Sequence, residues 1–117
     1  MRLRQSMLFV NDLDRMTAFY GEVIGLRPRE ETRLPDWVEF DGGFALHAIP
    51  PRLAAKGGIV SPPQPREQDP CKLIFSVDNL DDELARLTAL GVTILHRPWG
   101  GWDFADPEGN VIGVRER

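Results

Sequence analysis

A five-residue motif occurs twice in this chain and restricts the folds that the chain can adopt. Val10 to Asp14 reads VNDLD, and Val77 to Asp81 reads VDNLD, 67 residues later. Each copy follows a short apolar run and precedes a stretch with helical spacing of its apolar residues. Repetition at a fixed offset is typical of a duplicated folding unit. The sequence therefore predicts two halves of one structure, with a functional site between them.

The first half predicts a strand, a helix and three further strands. An apolar run ends at Val10, and the polar residues that follow are good helix N-caps. Apolar residues then recur along one helical face until Gly25 ends the helix. The predicted elements are a strand at 3–10, a helix from Asn11 or Asp12 to Gly25, and strands at 27–33, 37–41 and 44–49.

The second half repeats this order, and Gly91 lies 66 residues after Gly25. The predicted elements are a strand at 72–77, a helix capped by Asp78 or Asn79 that ends at Gly91, and strands at 92–96, 102–105 and 111–115. Each helix can cover only one face of its sheet and leaves the other face open. The sequence thus predicts an α+β fold of duplicated βαβββ modules, with the helices on the outer face.

Composition excludes several classes of partner. A hydrophobic content of 42% is sufficient for a core, and the net charge of −4 argues against a nucleic-acid or anionic-membrane surface. The single cysteine, Cys71, cannot form an intrachain disulfide, which suits a reducing compartment. No segment approaches the length of a membrane span. We therefore expect a cytoplasmic protein that binds neither nucleic acid nor membrane.

The segment between the halves differs from both of them. Residues 50–70 hold six of the chain's ten prolines. We interpret residues 51–70 as a linker, either a plain surface connection or a lid over a pocket, because long loops are often functional.

Strand alternation assigns the remaining side chains to two faces. One face is apolar throughout and is expected to pack under the helices. The open face carries the polar residues Gln5, His47, Lys72, Ser76 and Arg115. Apolar neighbours such as Met7 and Phe9 share that face, which favours a lined cavity with a few orienting polar groups over a fully exposed surface.

Three stretches of the sequence resemble a known family. The opening MRLRQSMLFVNDLDRMTAFYGEVIGL, and later SVDNLDD and DFADPEGNVIGV, are similar to the vicinal oxygen chelate superfamily. This superfamily includes glyoxalase I, bleomycin-resistance proteins, fosfomycin-resistance proteins and extradiol dioxygenases. The resemblance implies one domain over residues 1–117, with modules at about 1–50 and 71–117 forming a cupped mixed sheet. It also implies a homodimer.

Enzymes of this family hold a divalent metal through one residue on each of four strands, and the resemblance assigns those positions to Gln5, His47, Lys72 and Gly113. Gln5 and His47 are acceptable ligands. The Lys72 ammonium has no lone pair, and Gly113 has no side chain. Two ligands are fewer than the three protein ligands of a usual catalytic zinc site. We therefore predict no metal cofactor. Gln5 and His47, with a further residue such as Glu39, would hold one if it is present.

The leading hypothesis is a small-molecule-binding protein of the glyoxalase/bleomycin-resistance type without a catalytic metal. The three tryptophans suit flat or cationic ligands, although each is also a candidate for core or dimer contacts. Lys72 and Arg115 could meet an anionic group, and Glu39 a cation. The predicted ligand-binding residues are Gln5, Met7, Trp37, Glu39, His47, Lys72, Trp99, Trp102 and Arg115.

Two alternatives make the protein an enzyme. The first is a divalent-metal-dependent lyase or dioxygenase of the same superfamily, with Gln5 and His47 as ligands. The second is a metal-free enzyme in which His47 is the general base and Lys72 stabilises a developing oxyanion. His96 has no counterpart among the metal positions, and we expect it at the surface, near a strand end.

Overall fold

The computed structural model of the protein describes residues 1–50 and 62–117. The chain divides into two compact units, Met1–Val60 and Ser61–Arg117. None of the helices in the described ranges combines the length and the hydropathy that a membrane-spanning segment needs. Residues 51–61, which belong to the segment predicted to be a linker or a lid, lie outside the described residues.

The first unit is built on a three-stranded sheet. Its elements in chain order are β1 (Ser6–Val10), α1 (Leu13–Ala18) with a π-helical continuation (Phe19–Val23), a 3-10 turn (Glu30–Thr32), β2 (Trp37–Phe40) and β3 (Phe44–Ala48). The strand order is β1-β3-β2. Strand β3 is therefore central, parallel to β1 and antiparallel to β2.

The second unit repeats this arrangement with one more strand. Its elements are β4 (Leu73–Val77), α2 (Leu80–Ala89), β5 (Leu95–His96), β6 (Trp102–Ala105) and β7 (Val111–Glu116). The strand order is β4-β7-β6-β5, with β7 parallel to β4 and antiparallel to β6. The predicted α+β fold with mixed sheets is confirmed, and the second unit has the predicted βαβββ order.

The repeated motif caps the helix of each unit. The Asp12 side chain accepts a hydrogen bond from the backbone N–H of Arg15 at 3.0 Å, and the Asn79 side chain accepts one from Asp82 at 2.9 Å. Each cap satisfies one of the four amide groups that a helix leaves without a partner at its start. The duplicated sequence therefore marks the same strand-to-helix junction twice.

Each helix packs its apolar side chains on one face of its own sheet. In the first unit the ring centroid of the fully buried Tyr20 lies 4.9 Å from that of Phe44. In the second unit Leu87 of α2 is buried, as are Phe104 and Ile112 of the sheet. Burial of such side chains supplies most of the stability of a small domain. The opposite faces carry the predicted polar residues together with exposed apolar ones such as Phe9 and Ile74.

The predicted strand at 27–33 is wrong. Only a single bridge joins Pro28 to Phe40, and a 3-10 turn follows it. The neighbours of Pro28 make the two hydrogen bonds of this bridge, from Arg29 N–H to the Glu39 carbonyl and from Asp41 N–H to the Arg27 carbonyl, and the 3-10 turn at Glu30–Thr32 then ends the pairing. The first unit therefore has the order βαββ. Strands β1 and β5 are also shorter than predicted, whereas Gly25 and Gly91, with φ of 86° and 83°, end their helices as predicted.

The pairing register defines which residues correspond between the two units. Val10 pairs with Ala48 in one unit, and Val77 pairs with Glu116 in the other. By this register the counterpart of His47 is Arg115, and the counterpart of Gly113 is Ala45. Glu39 pairs with Ala45 in the antiparallel ladder of β2 and β3, and Asp103 pairs with Gly113 in that of β6 and β7, so Glu39 is the counterpart of Asp103. The offset of 66 residues between His47 and Gly113 therefore does not describe the repeat, because the register gives an offset of 68 in this strand and 67 at the repeated motif.

Candidate functional site

Three rings form a row across the open face of the first sheet. Phe9, His47 and Trp37 lie on β1, β3 and β2, and the pairing register places His47 opposite each of the other two. The ring centroid of His47 lies 5.6 Å from that of Phe9 and 5.5 Å from that of Trp37. We call these three residues the aromatic row.

The aromatic row is accessible to a ligand. Phe9 is 61% exposed, and the side chain of His47 is 36% exposed. Met7 lies two residues before Phe9 on the same face of β1 and is also exposed. Adjacent large apolar side chains on a surface are often part of an interaction site. The open face of the first sheet therefore offers an accessible, partly apolar surface of aromatic side chains.

Two carboxylates flank the aromatic row. The Oδ2 atom of Asp36 lies 3.4 Å from Nε2 of His47, and the Asp36 side chain is largely exposed. Glu39 is mostly buried: its Oε1 accepts a hydrogen bond from Trp37 Nε1 at 3.1 Å, and its Oε2 accepts one from the Thr32 hydroxyl at 3.3 Å. Glu39 thus holds the indole of Trp37 in place, while Asp36 gives the row an accessible negative charge.

Gln5 lies one residue before β1 and is half-buried. The residue after it is fixed by a hydrogen bond from Ser6 N to the Gly43 carbonyl at 2.9 Å. By alternation Gln5 shares the face of Met7. The first unit thus carries Gln5, Met7, Trp37, Glu39 and His47 from the predicted set.

A single buried carboxylate gathers three cations on the open face of the second sheet. Asp103 is fully buried. Its Oδ2 lies 2.7 Å from Lys72 Nζ and 2.8 Å from Arg97 Nε, and its Oδ1 lies 3.4 Å from Nη2 of Arg115. We call these four residues the Asp103 cluster. Glu67 joins its edge, 2.8 Å from Arg97.

The cluster keeps Asp103 ionised. Burial alone would raise the pKa of its carboxyl group, but hydrogen bonds from Lys72 and Arg97 outweigh burial and hold the pKa below its ordinary value. Hydrogen bonds to Asp103 and Glu67 likewise raise the pKa of Arg97. Burial of a charge is tolerated here because each partner is charged and hydrogen-bonded.

The missing side chain of Gly113 is part of this arrangement. Gly113 lies opposite Asp103 in the sheet. A Cβ atom at this position would lie 3.1 Å from Cε of Lys72, 3.2 Å from Oδ1 of Asp103 and 3.4 Å from Nη1 of Arg115. Lys72 therefore crosses the surface of β7 at the one residue that leaves it room, and reaches Asp103 on the far side.

Trp99 lies beside the cluster and is 71% exposed. The guanidinium carbon of Arg97 is 5.6 Å from the centre of its ring, within the range of a cation–π contact. A Cβ atom on Gly101 would lie 3.0 Å from both Trp99 Nε1 and Arg115 Nη2. The indole N–H and the guanidinium of Arg115 therefore approach each other over Gly101, where no side chain separates them.

Trp102 lies on the other face of the second sheet. It is paired with Val114, which is buried on the helix-covered face, and with His96. The ring centroids of Trp102 and His96 are 4.6 Å apart. Trp102 is therefore not brought together with Lys72, Trp99 and Arg115. His96 is exposed at the end of β5, as expected.

The four family metal positions do not present a suitable donor set. Lys72 carries a positive charge and is engaged with Asp103, and a side chain at Gly113 would press on both of these residues. Gln5 and His47 belong to the first unit, and Lys72 and Gly113 to the second. Within residues 1–50 and 62–117, no three His, Cys, Asp or Glu side chains are grouped so that they could hold a metal ion. The convergence of the four positions on one hollow stays a prediction.

Sequence reasoning missed Asp36, Arg97 and Asp103. Asp103 had a usable signal, because strict alternation along Trp102–Ala105 places it on the open face, with Lys72, as a lone acid. Arg97 and Asp36 lie in connections next to short strands. No periodicity indicates where the side chains of connecting residues point, so the sequence does not predict the contacts of Arg97 and Asp36.

Comparison with known proteins gives one family. Residues 2–114 match the family model of the Glyoxalase/Bleomycin resistance protein/Dioxygenase superfamily. The comparison with curated proteins finds no match. The family match covers both units and the segment between them.

Solved structures with the same fold are numerous. A protein of unknown function from Agrobacterium tumefaciens is 25% identical with a TM-score of 0.74, and the alignment covers 100% of this chain and 94% of that chain. A lactoylglutathione lyase from Agrobacterium tumefaciens is 26% identical with a TM-score of 0.65, over 98% and 92% of the two chains. TnmS3, an antibiotic-binding protein from Streptomyces sp. CB03234, shares the fold at 22% identity and a TM-score of 0.65, over 99% and 95%.

Proposed function

Because this chain belongs to the glyoxalase/bleomycin resistance protein/dioxygenase superfamily, we propose that it binds a small organic ligand through its aromatic row and uses no catalytic metal. The aromatic row carries this proposal: Phe9 is exposed, His47 and Trp37 are partly exposed, and the neighbouring ring centroids lie 5.6 and 5.5 Å apart, so that one aromatic ligand can contact all three. Met7 and Gln5 extend the surface along β1.

The charges at the row favour a planar ligand with positive charge. Asp36 is exposed beside His47, and Glu39 lies behind Trp37. An aromatic face attracts cations, and a neighbouring carboxylate adds to that attraction. Glu39 is already bonded to Trp37 and Thr32, so it orients the indole, while Asp36 is available to the ligand.

The chemistry of the four family positions supports the metal-free part of the proposal. An ammonium group repels a dication, and glycine contributes no donor. Removal of Lys72 from Asp103 would also leave a buried carboxylate with one fewer cation. The second half of the chain is therefore better suited to its own ion pairs than to a metal.

A metal-dependent lyase or dioxygenase is the second candidate. Its support is the 26% identity to a structure described as a lactoylglutathione lyase, together with Gln5 and His47 at two of the family positions. Elemental analysis of the purified protein distinguishes the candidates. Nickel, zinc, iron or manganese at one ion per chain would favour this second candidate and contradict the first.

Tryptophan fluorescence tests the binding surface directly. We expect saturable quenching by at least one member of a panel of neutral and cationic planar aromatic compounds. Trp37→Phe should abolish that quenching, and Phe9→Ser should weaken the affinity about tenfold, because each removes one side of the contact. Trp102→Phe is the matched control, because it removes a tryptophan from the helix-covered face of the second sheet.

Two results would contradict the proposal. One is the absence of saturable quenching by every compound in the panel. The other is quenching that persists unchanged in both Trp37→Phe and Phe9→Ser.

Light scattering on the same samples measures the mass of the assembly, for which family resemblance supports a homodimer.

A further inference from the structure

We propose that the Asp103 cluster of the second unit binds the oxyanion group of a small molecule, a carboxylate or a phosphate, between Lys72, Arg115 and Trp99. Three cations surround Asp103, and Glu67 neutralises one of them. One positive charge remains after both carboxylates are counted. All of its residues belong to the second unit, whereas the aromatic row belongs to the first.

The three cations are not equally committed. Arg97 is nearly buried, with Nε directed to Asp103 and Nη2 directed to Glu67. Lys72 makes one hydrogen bond, to Asp103, among the residues that the structure describes, and ammonium has three donors. The side chains of Lys72 and Arg115 are each about one-third exposed. Lys72 and Arg115 therefore keep donors that face solvent.

The geometry of Arg115 leaves one edge of its guanidinium available. Its Nη1 donates to the carbonyl groups of Trp102 at 2.9 Å and Val114 at 2.6 Å. Its Nη2 reaches Asp103 only at 3.4 Å, a long and weak contact. The backbone carbonyls fix the plane of the group, so the Nη2 edge is pre-oriented for an incoming oxyanion.

Trp99 supplies a third donor and an apolar wall. Its Nε1 and the Nη2 of Arg115 are both 3.0 Å from the Cβ position that Gly101 leaves empty. The two nitrogen atoms therefore lie within twice that distance of each other, a span that one carboxylate or phosphate group can bridge. Arg97 stacks against the ring, and the ring remains largely exposed. A ligand with an oxyanion and a small apolar body fits this chemistry.

Titration with inorganic phosphate and, separately, with benzoate tests the site and distinguishes the two oxyanions. The ¹⁵N-labelled full chain is held at constant ionic strength with sodium chloride. We expect saturable shifts of the Trp99 indole N–H and the Gly101 amide signals with at least one of the two anions. Arg115→Gln should raise the dissociation constant at least tenfold, and Arg115→Lys should give an intermediate value because it keeps charge but loses the fork.

Arg117→Gln is the matched control. Arg117 follows β7 immediately, is largely exposed, and contacts Asp78 away from the cluster. We expect it to change the dissociation constant less than twofold. If Arg115→Gln does not fold, Trp99→Leu is used instead and binding is followed through the Gly101 amide signal. We expect the same rise in the dissociation constant.

Shifts that grow linearly with both anions, or that saturate equally in wild type and in the Arg115→Gln or Trp99→Leu variant, would overturn the proposal. The readout differs from that of the proposed function, which is Trp37-dependent quenching by aromatic compounds. The two experiments can therefore show that the oxyanion site is wrong while the proposed function holds, or the reverse.

Discussion

The two units place an acidic residue at the same register position of the same kind of sheet and surround it in different ways. Glu39 meets the indole of Trp37, the hydroxyl of Thr32 and, at 3.8 Å, Arg29. Asp103 meets three cations and is fully buried. The backbone of the repeat has been retained, whereas the chemistry of each open face depends on a few side chains. The open face of the first unit presents aromatic rings, and the open face of the second unit presents positive charge.

The comparison explains why the two acids differ in energetic importance. Glu39 has neutral partners and one distant arginine, so its charge contributes little beyond hydrogen bonding. Asp103 compensates three neighbouring positive charges that would otherwise repel one another. Loss of a buried partner of this kind leaves uncompensated charge in a poorly solvated place.

Neutralising each acid in turn gives the largest expected contrast. Asp103→Asn should lower the free energy of unfolding by about 3 kcal/mol, because three cations lose their counter-charge. Glu39→Gln should lower it by about 1 kcal/mol, since its partners are mainly neutral donors. Urea denaturation at pH 7 measures both values. Equal losses would show that the two environments are energetically alike.

Acid should remove part of the same stabilisation. The pKa of Asp103 is lower in the folded protein than the ordinary value of 3.8. As the pH falls, the unfolded chain therefore takes up the proton first, and protonation favours unfolding. The stability difference between wild type and Asp103→Asn should be constant above about pH 5 and should narrow below pH 3.8. Unfolding curves from pH 7 to pH 3 test this, and a gap that widens in acid would contradict the sign.

Adding a methyl group at Gly113 should cost about 1 kcal/mol through crowding of Lys72 and Asp103. Gly21→Ala is the control, because its nearest neighbour would be the Leu26 carbonyl at 3.9 Å and alanine favours helical backbone. That change should be neutral or stabilising by up to about 1 kcal/mol. Thermal denaturation compares the two variants. A neutral Gly113→Ala would mean that Lys72 does not need the space above β7.

The smallest expected difference concerns the helix caps. Asp12→Ala and Asn79→Ala each remove the cap hydrogen bond to a first-turn amide, and loss of a cap should lower stability by about 1 kcal/mol. Because the junctions are equivalent, the two losses should agree within error in urea denaturation. A clear inequality would show that the repeated motif is retained for different reasons in the two halves.

The sequence was sufficient for the architecture because periodicity and capping report directly on backbone structure. The motif at Val10 and Val77, with Gly25 and Gly91, located both strand–helix units before any coordinates. The strand at 27–33 was wrong because a 3-10 turn at Glu30–Thr32 follows a single bridge, and the hydrophobic pattern alone does not predict that turn.

The candidate site was less accessible to sequence reasoning. Alternation placed Gln5, His47 and Lys72 on open faces, but it did not identify the partner of Lys72. That partner, Asp103, is distant in sequence, and its third cation, Arg97, lies just after a two-residue strand. Trp102 was included with the other tryptophans by residue type, although the pairing of β6 with β7 puts it on the helix-covered face. Contacts between distant side chains depend on register, which a constant offset described only approximately.

The route of Lys72 over Gly113 sets the order in which this pair of residues can change during evolution. A larger residue at position 113 meets the lysine stem and the Asp103 carboxylate first. Replacement of Lys72 alone leaves position 113 as glycine, without a side chain. Substitutions that share contacts in this way are coupled, so their effects on stability are not additive. Replacement of Lys72 first would therefore relieve part of the crowding that a side chain at position 113 would otherwise meet.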